Sequence, residues 1–257
     1  MNVFQRHHAG KGDPAGASTG AIYVRVLRHH RGPAACPLDG RTVARLVAVP
    51  LLPIMFLFFY RPWADYYAIA VFVLASVTDW VDGYLARKWG QESLFGAAMD
   101  PIADKALVLM ALLVITAYSG LAVWIVLPAG IIIFREVFVS GLRETLGDKA
   151  RALKVTGLAK WKTTVQMVAL TLLFAKGVFE HYVGMQSYGM DEAIFEGVVS
   201  GEIEDELGLR WKLTGMNWTG NAGVFLLWAA ALLTAITGWD YFRKALPFLR
   251  EPEEKDD

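Results

Sequence analysis

The amino-acid sequence predicts an all-α membrane protein that crosses the bilayer six times. Of the 257 residues, 55% are hydrophobic and only 19% are charged, which is too apolar for an ordinary soluble domain of this length. The apolar residues gather in stretches close to the roughly 20 residues that a helix needs to cross the hydrocarbon core. Six such stretches lie at 43–60, 66–87, 98–118, 121–143, 157–178 and 220–241.

The chain is predicted to begin with a basic, disordered tail at 1–38, for which a transit peptide is the alternative. The six-helix membrane domain follows at 39–250, and a charged tail occupies 251–257. The first span contains Pro50 and Pro53, which a membrane helix tolerates when neighbouring helices satisfy the freed carbonyl groups.

The distribution of lysine and arginine predicts that both ends of the chain lie in the cytoplasm. The long connection at 179–218 is then an extracytoplasmic loop, and its many acidic residues agree with that orientation. Because the sequence shows no clear transit peptide, we expect the inner membrane of a bacterium rather than an organelle of bacterial descent. The basic residues placed inside are Arg87, Lys88, Arg135, Arg143, Lys149, Arg151, Lys154, Lys160, Lys162, Arg243 and Lys244.

Charge and cysteine content exclude several functional classes. The chain has 25 basic and 25 acidic residues, so no bulk positive charge indicates a nucleic-acid partner. Cys36 is the only cysteine, which excludes an intrachain disulfide and a thiolate metal cluster. The informative charges are therefore those within or beside the apolar stretches.

Four aspartates lie where the second apolar stretch ends and the third begins, in the segment DWVDGYLARKWGQESLFGAAMDPIAD at 79–104. A charge at the centre of a membrane helix costs roughly 2.5–3.5 kcal/mol on insertion scales, so such residues need a compensating role. Asp79 and Asp82 are three residues apart and share a face of one helix. Asp100 and Asp104, four apart, share a face of the next. An antiparallel hairpin would bring all four carboxylates together.

This cluster predicts a two-metal site. Carboxylates so close repel one another unless cations intervene, and oxygen-only ligands suit Mg²⁺ or Mn²⁺. Two ions can clamp the oxygens of a phosphoryl centre and stabilise a leaving phosphate. Gly83 removes bulk where a nucleotide or helix approaches closely, and Arg87, one turn on, suits a phosphate. Two alternatives stay open: a cation-transport site, and a non-catalytic membrane scaffold with ordinary salt bridges at the membrane edge.

These residues resemble the signature of the CDP-alcohol phosphatidyltransferase family, D-x2-D-G-x2-A-R-x8-G-x3-D-x3-D. Every fixed position and every gap matches, through Asp79, Asp82, Gly83, Ala86, Arg87, Gly96, Asp100 and Asp104. The resemblance implies the family's six-helix membrane fold, a homodimer, and two bound divalent ions. The implied metal ligands are Asp79, Asp82 and Asp100, with Asp104 as metal neighbour and catalytic base. The implied CDP-lipid site contains Asp79, Asp82, Gly83, Arg87, Ser93 and Thr42.

The resemblance extends on both sides of the signature. Before the first span, the family's P-N-x-x-T-x-x-R pattern keeps Thr42 and Arg45, while Leu38 and Asp39 replace its proline and asparagine. After the signature, two segments look like the phosphatidylglycerophosphate synthase branch of the family. They are REVFVSGLRE at 135–144 and KWKTTVQMVAL at 160–170, in which Lys160, Lys162, Thr163 and Gln166 match the branch's G-K-x-K-T-x-x-Q and Ala159 stands for its glycine.

Basic residues on the fourth and fifth spans predict a phosphorylated acceptor. They lie at the cytoplasmic ends of these spans, on the same side as the aspartates, and suit the dianionic phosphate of glycerol 3-phosphate. The predicted acceptor site contains Arg135, Arg143, Lys160 and Lys162, for which positive-inside anchoring is the alternative role. The predicted reaction joins CDP-diacylglycerol to glycerol 3-phosphate, with release of CMP. Inositol phosphate, serine and phosphatidylglycerol remain alternative acceptors.

Overall fold

The computed structural model describes residues 40–89, 94–147 and 158–250, and places side chains at 44–78, 99, 101–147 and 161–249. Within these ranges the chain forms α-helices and no β-strand, so the predicted all-α class is confirmed for them. The helices are α1 Gly40–Phe58, α2 Trp63–Trp89, α3 Leu94–Tyr118, α4 Val123–Leu146, α5 Leu158–Ser187, α6 Glu192–Ser200 and α7 Leu209–Arg250. The predicted tails at 1–38 and 251–257 lie outside the described residues.

Four helical segments of the described chain are long and apolar enough to cross a membrane. They are Pro101–Tyr118, Val123–Leu146, Trp161–Ser187 and Leu209–Leu249, in α3, α4, α5 and α7. The first two predicted spans correspond to shorter apolar segments, Ala44–Phe58 in α1 and Trp63–Thr78 in α2. The polar end of α2, which contains Asp79 and Asp82, shortens its apolar part. The structure thus has the apolar helices of an integral membrane protein, with four candidate spans.

The helices pack as a bundle around one main hydrophobic core. Helix α5 is central, because it contacts α2, α3 and, over the longest interface, α7. Helix α1 packs on α3, and α4 packs on α7. The largest fully buried apolar side chains of this core are Leu52, Phe72, Leu107, Leu112, Ile132, Leu170, Phe174 and Leu227.

The predicted loop at 179–218 is largely helical in the structure. Helix α5 continues to Ser187, α6 follows, and α7 begins at Leu209 rather than near 220. A second small core, containing Val183, Val198 and Leu209, holds these pieces together. The apolar windows of the sequence did not indicate these helical turns, because the turns are amphipathic and bury one face against each other. The extracytoplasmic position of 179–218 stays a prediction.

Asp205 starts α7 by capping its first turn. Its carboxylate oxygens accept hydrogen bonds from the backbone N–H groups of Leu209, at 2.7 Å, and Arg210, at 2.8 Å. These groups have no partner within the helix, so the side chain satisfies donors that would otherwise need water. These hydrogen bonds, above all the one from the backbone N–H of Arg210, lower the pKa of the Asp205 carboxyl below its ordinary value.

Glycines set the distance between α5 and α7. A Cβ atom at Gly223 would lie 2.9 Å from two side-chain carbons of Leu173, and one at Gly215 would lie 2.9 Å from the ring of Phe179. Carbon atoms normally pack at about 3.5–4.0 Å. Membrane helices approach this closely where residues are small, so the main interface of the bundle depends on these glycines.

We predict that Gly223→Val lowers the melting temperature of the purified protein by several degrees. The added side chain meets buried Leu173, and overpacking a core typically costs about 1–3 kcal/mol. The measurement is thermal unfolding in detergent.

Gly184→Val is the control, because Gly184 is an exposed residue of α5 at which an added Cβ atom meets nothing within 4 Å. An equal loss of stability in the two variants would show that the close contact at Gly223 does not matter.

Candidate active site

Arg45 connects the two helices that contain the aspartates. From α1, its Nη1 donates to Oδ1 of Asp104 on α3 at 3.2 Å, and its Nη2 donates to Oγ1 of Thr78 on α2 at 2.8 Å. Nη2 also lies 3.4 Å from the carbonyl oxygen of Ala75. One guanidinium therefore contacts both α3 and the residue that directly precedes Asp79, which links the second half of α2 to the first half of α3.

The four predicted aspartates lie in the helices that their spacing predicts. Asp79 and Asp82 are in α2, whereas Asp100 and Asp104 are in α3. The structure does not describe the side chains of Asp79, Asp82 and Asp100. The same holds for the side chains of Thr42 and Arg87 and for the surroundings of Gly83, and Ser93 lies outside the described residues altogether. The Asp104 side chain is 42% exposed although it pairs with Arg45, so its carboxylate is accessible from outside the bundle.

The residue types present fit a site for hard divalent cations. Two consecutive helices bring aspartates to one end of the bundle, and carboxylate oxygens are the ligands that Mg²⁺ and Mn²⁺ prefer. Among the side chains that the structure places, no group of three His, Cys, Asp or Glu residues could hold a metal ion. The predicted ligands Asp79, Asp82 and Asp100 stand outside that set, so the metal site stays a prediction.

A second cluster is built around the carboxylate of Glu136 on α4. Glu136 forms ion pairs with Lys162 on α5 and, at 3.3 Å, with Nη1 of its neighbour Arg135. All three side chains are largely buried. Nη2 of Arg135 also donates to Oγ1 of Thr237 on α7 at 3.3 Å. Gly238 on α7 makes room for this arginine, because a Cβ atom there would lie 2.7 Å from its Cγ.

Lys105 joins this cluster to the start of α3. It follows Asp104 directly, and its Nζ donates to Oγ of Ser140 on α4 at 2.6 Å. The Ser140 hydroxyl in turn donates to the carbonyl oxygen of Glu136 at 2.7 Å. The basic cluster and the aspartate helices are therefore adjacent at one end of the bundle.

Two buried donors at this end make no hydrogen bond to the part of the chain that the structure describes. They are Nε of Arg135 and Nε2 of Gln166. Buried polar atoms are nearly always satisfied, by protein, water or ligand. The cluster therefore has donor capacity left for an anionic ligand.

The structure brings together only part of the predicted acceptor site. Arg135 and Lys162 meet at Glu136. Arg143, eight residues beyond Arg135 on α4, instead has its guanidinium 5.3 Å from the centre of the Tyr241 ring, a cation–π contact. The structure does not describe the side chain of Lys160.

Sequence reasoning missed Glu136, Lys105 and the role of Arg45 as a link. The signal for Glu136 was its position beside Arg135 within an apolar span, where a charge is expensive unless it has a partner or a function. Lys105 carried the same signal in α3. Arg45 was visible only as a matching residue of the pattern before the first span, because its two contacts are far apart in the sequence.

Comparison with known proteins identifies the family. The sequence profile described as CDP-alcohol phosphatidyltransferase matches residues 39–198. A protein of Cereibacter sphaeroides named CDP-diacylglycerol–glycerol-3-phosphate 3-phosphatidyltransferase is 55% identical over 213 residues, which cover 82% of this chain and 95% of that protein. Proteins of the same name from Escherichia coli K12 and Shigella flexneri are 42% identical over 149 residues, 56% of this chain and 81% of each relative.

We predict that Glu136→Gln strongly destabilises the protein. The change leaves Lys162 and Arg135 buried without their counter-charge, and breaking a buried ion pair by removal of one partner costs about 3–5 kcal/mol. The melting temperature measured in detergent should fall by several degrees.

Glu144→Gln, at an exposed position of the same helix, is the control and should leave the melting temperature unchanged. Equal stability of Glu136→Gln and the wild-type protein would refute the central role of this carboxylate.

Proposed function

Because this chain belongs to the CDP-alcohol phosphatidyltransferase family, we propose that it transfers the phosphatidyl group of CDP-diacylglycerol to sn-glycerol 3-phosphate. The products are phosphatidylglycerophosphate and CMP, so the enzyme acts in phospholipid biosynthesis. Relatives that cover most of the chain carry this reaction in their names. The structural observation that carries the proposal is the contact of the aspartate helices with a buried basic cluster.

The aspartates supply the metal site and the base. Asp79, Asp82 and Asp100 would hold two divalent ions, Mg²⁺ or Mn²⁺, and the positive charge of these ions would stabilise the negative charge of the departing CMP. Asp104 takes the proton of the acceptor's primary hydroxyl as that oxygen attacks the phosphorus of the lipid. Arg45 is a positioning residue, because it fixes one carboxylate oxygen of Asp104 and leaves the side chain accessible.

The remaining residues of the signature contact the CDP-lipid in this proposal. Gly83 allows the nucleotide to approach α2, and Arg87 pairs with a phosphate. Ser93, Thr42 and the aspartates Asp79 and Asp82 complete this site. The support for these roles is the match of the sequence to the family signature.

The basic cluster binds the phosphate of the acceptor. Lys105, Arg135 and Lys162 are three cations and Glu136 is one carboxylate, which leaves a formal excess of two positive charges. That excess balances the dianionic phosphate of glycerol 3-phosphate, and the unpaired Nε of Arg135 can donate to it. Serine, which carries no phosphate, would leave the excess unbalanced. Arg143, in the last turn of α4, and Lys160, at the start of α5, would steer the anion toward the cluster.

The proposed membrane placement has six spans, with α1 and α2 as the first two and both ends of the chain in the cytoplasm. The aspartates and the basic cluster then face the cytoplasm, where CDP-linked lipid heads and glycerol 3-phosphate are accessible without crossing the bilayer. Lysines and arginines concentrate on this side. We place the enzyme in the bacterial inner membrane as a homodimer, as the family pattern implies.

We predict that the purified protein releases CMP from CDP-diacylglycerol most efficiently with glycerol 3-phosphate. The assay compares kcat/KM for this acceptor with inositol phosphate, serine and phosphatidylglycerol. Only a dianionic phosphate monoester balances the two excess charges of the cluster. Serine has no phosphate and phosphatidylglycerol has a phosphodiester with a single negative charge, so both should be at least about 100-fold poorer, near the free-energy cost of one unpaired buried charge.

Chelation with EDTA serves as the control, since it should stop CMP release and added Mg²⁺ or Mn²⁺ should restore it. A higher kcat/KM for another acceptor would remove glycerol 3-phosphate from the proposal, and activity that survives thorough chelation would remove the metals.

We predict that Asp104→Asn lowers kcat by about 100-fold or more, because the amide cannot accept the hydroxyl proton and general bases contribute this much. The side chain keeps its size and can still contact Arg45, so the melting temperature should change little.

Asp240→Asn is the matched control at an exposed ion pair with Lys244 on α7, and its kcat should equal that of the wild-type enzyme. Substantial turnover by Asp104→Asn would exclude Asp104 as the base.

A further inference from the structure

A cavity of about 370 Å³ lies at the end of the bundle opposite the aspartates. It is bounded by the turn between α1 and α2, by the turn between α3 and α4, and by one side of α5 and α7. The aspartates lie toward the other end of the bundle, in the second half of α2 and the first half of α3. This volume is within the range of small-molecule sites, and the transfer reaction does not use it.

The rim of the cavity holds charges of both signs. Arg61 is anchored by the fully buried carboxylate of Asp65, to which it donates two hydrogen bonds at 2.8 and 3.1 Å. Its Nη1 lies 3.7 Å from Oε2 of Glu180, and Nζ of Lys176 lies 3.8 Å from the same oxygen. Both distances exceed hydrogen-bond reach, so these groups are held near each other without being locked together.

Gly177 and Gly220 make this arrangement possible. A Cβ atom at Gly177 would collide with the Arg61 guanidinium and the Asp65 carboxylate, and one at Gly220 would lie 3.2 Å from Cδ of Lys176. The chain thus leaves space for a charged group at each position instead of filling it with apolar side chains. Asn217 and Asn221, one turn apart on α7, add amide donors and acceptors to the same rim.

The floor of the cavity is apolar. It is formed by core residues that include Phe56, Ile115, Ile125 and Phe174, all of them buried. A ligand that fills the cavity therefore needs an apolar part directed toward the core and a polar part at the rim.

Exposed aromatic residues surround this end of the bundle. Tyr60 and Trp63 flank Arg61, and Trp124 lies at the start of α4; they are 89%, 69% and 70% exposed. Tyrosine and tryptophan are enriched where a membrane protein meets the lipid headgroups. The rim of the cavity is therefore at the level of the headgroups, on the membrane side opposite the aspartates.

We propose that this cavity binds a zwitterionic phospholipid, one whose head carries a phosphate and an ammonium group. The phosphate lies between Arg61 and Lys176, the ammonium pairs with Glu180, and the first part of the acyl chains covers the apolar floor. The rim favours this head over an anionic one because Arg61 and Lys176 are balanced by Asp65 and Glu180. An anionic head has no ammonium group that could pair with the Glu180 carboxylate.

Native mass spectrometry of the full chain in detergent tests the proposal. The probes are phosphatidylethanolamine, phosphatidylglycerol and diacylglycerol with identical acyl chains. We expect phosphatidylethanolamine to bind at least five-fold more tightly than either of the others. Lys176→Met and Glu180→Gln should each weaken its binding at least five-fold, and two separate variants keep the test informative if one does not fold.

Lys212→Met is the matched control, because this lysine lies on α7 outside the cavity and contacts Trp211 and the carbonyl oxygen of Leu207. Its binding of phosphatidylethanolamine should equal that of the wild-type protein. Equal or tighter binding of phosphatidylglycerol would overturn the proposal, as would an equal loss in Lys212→Met. Glycerophosphoethanolamine, the same head without acyl chains, should bind at least ten-fold more weakly, and equal affinity would also overturn it.

Discussion

Glu136 is the carboxylate on which the charged interior of the bundle depends. It lies where α4 meets α5 and α7, and it forms ion pairs with both Lys162 and Arg135 in a region with little access to water. Two cations buried without it would repel each other and would lack the solvation that they lose on folding. With it, the two cations keep a net charge of one, and Lys105 raises the formal excess of the cluster to two positive charges. The same carboxylate therefore stabilises the fold and leaves a charge excess for a ligand.

Helix packing determines where this excess lies relative to the aspartates. Lys105 and Asp104 are neighbours on α3, so one helix presents a cation to α4 and a carboxylate to Arg45 of α1. Because Arg45 also bonds Thr78, any movement of α1 would disturb both helices that contain the aspartates. In the proposed reaction, the distance between the acceptor phosphate and the carboxylate of Asp104 would be set by backbone geometry within a single turn of α3, which is more rigid than a loop.

Sequence patterns predicted the features that depend on local spacing. The all-α class followed from apolar stretches, and the placement of Asp79 and Asp104 in consecutive helices followed from their intervals. The pairing of Arg45 with Asp104 could not be predicted, because 59 residues separate them and only tertiary packing brings them together. The helical nature of 179–218 was missed because polar amphipathic turns show no apolar window. Arg143 was grouped with Arg135 by charge, although they are two helical turns apart.

Both ends of the bundle hold buried charges, but the net charge differs between them. At each end a buried carboxylate holds an arginine and a glycine of a neighbouring helix leaves space for it: Glu136, Arg135 and Gly238 at one end, Asp65, Arg61 and Gly177 at the other. At the aspartate end the cations outnumber the carboxylate of the cluster, which suits a dianion. At the opposite end the rim charges cancel, which suits a ligand that carries both signs. Since buried charge must be balanced, the residual charge at each end matches the charge of the ligand that we propose for it.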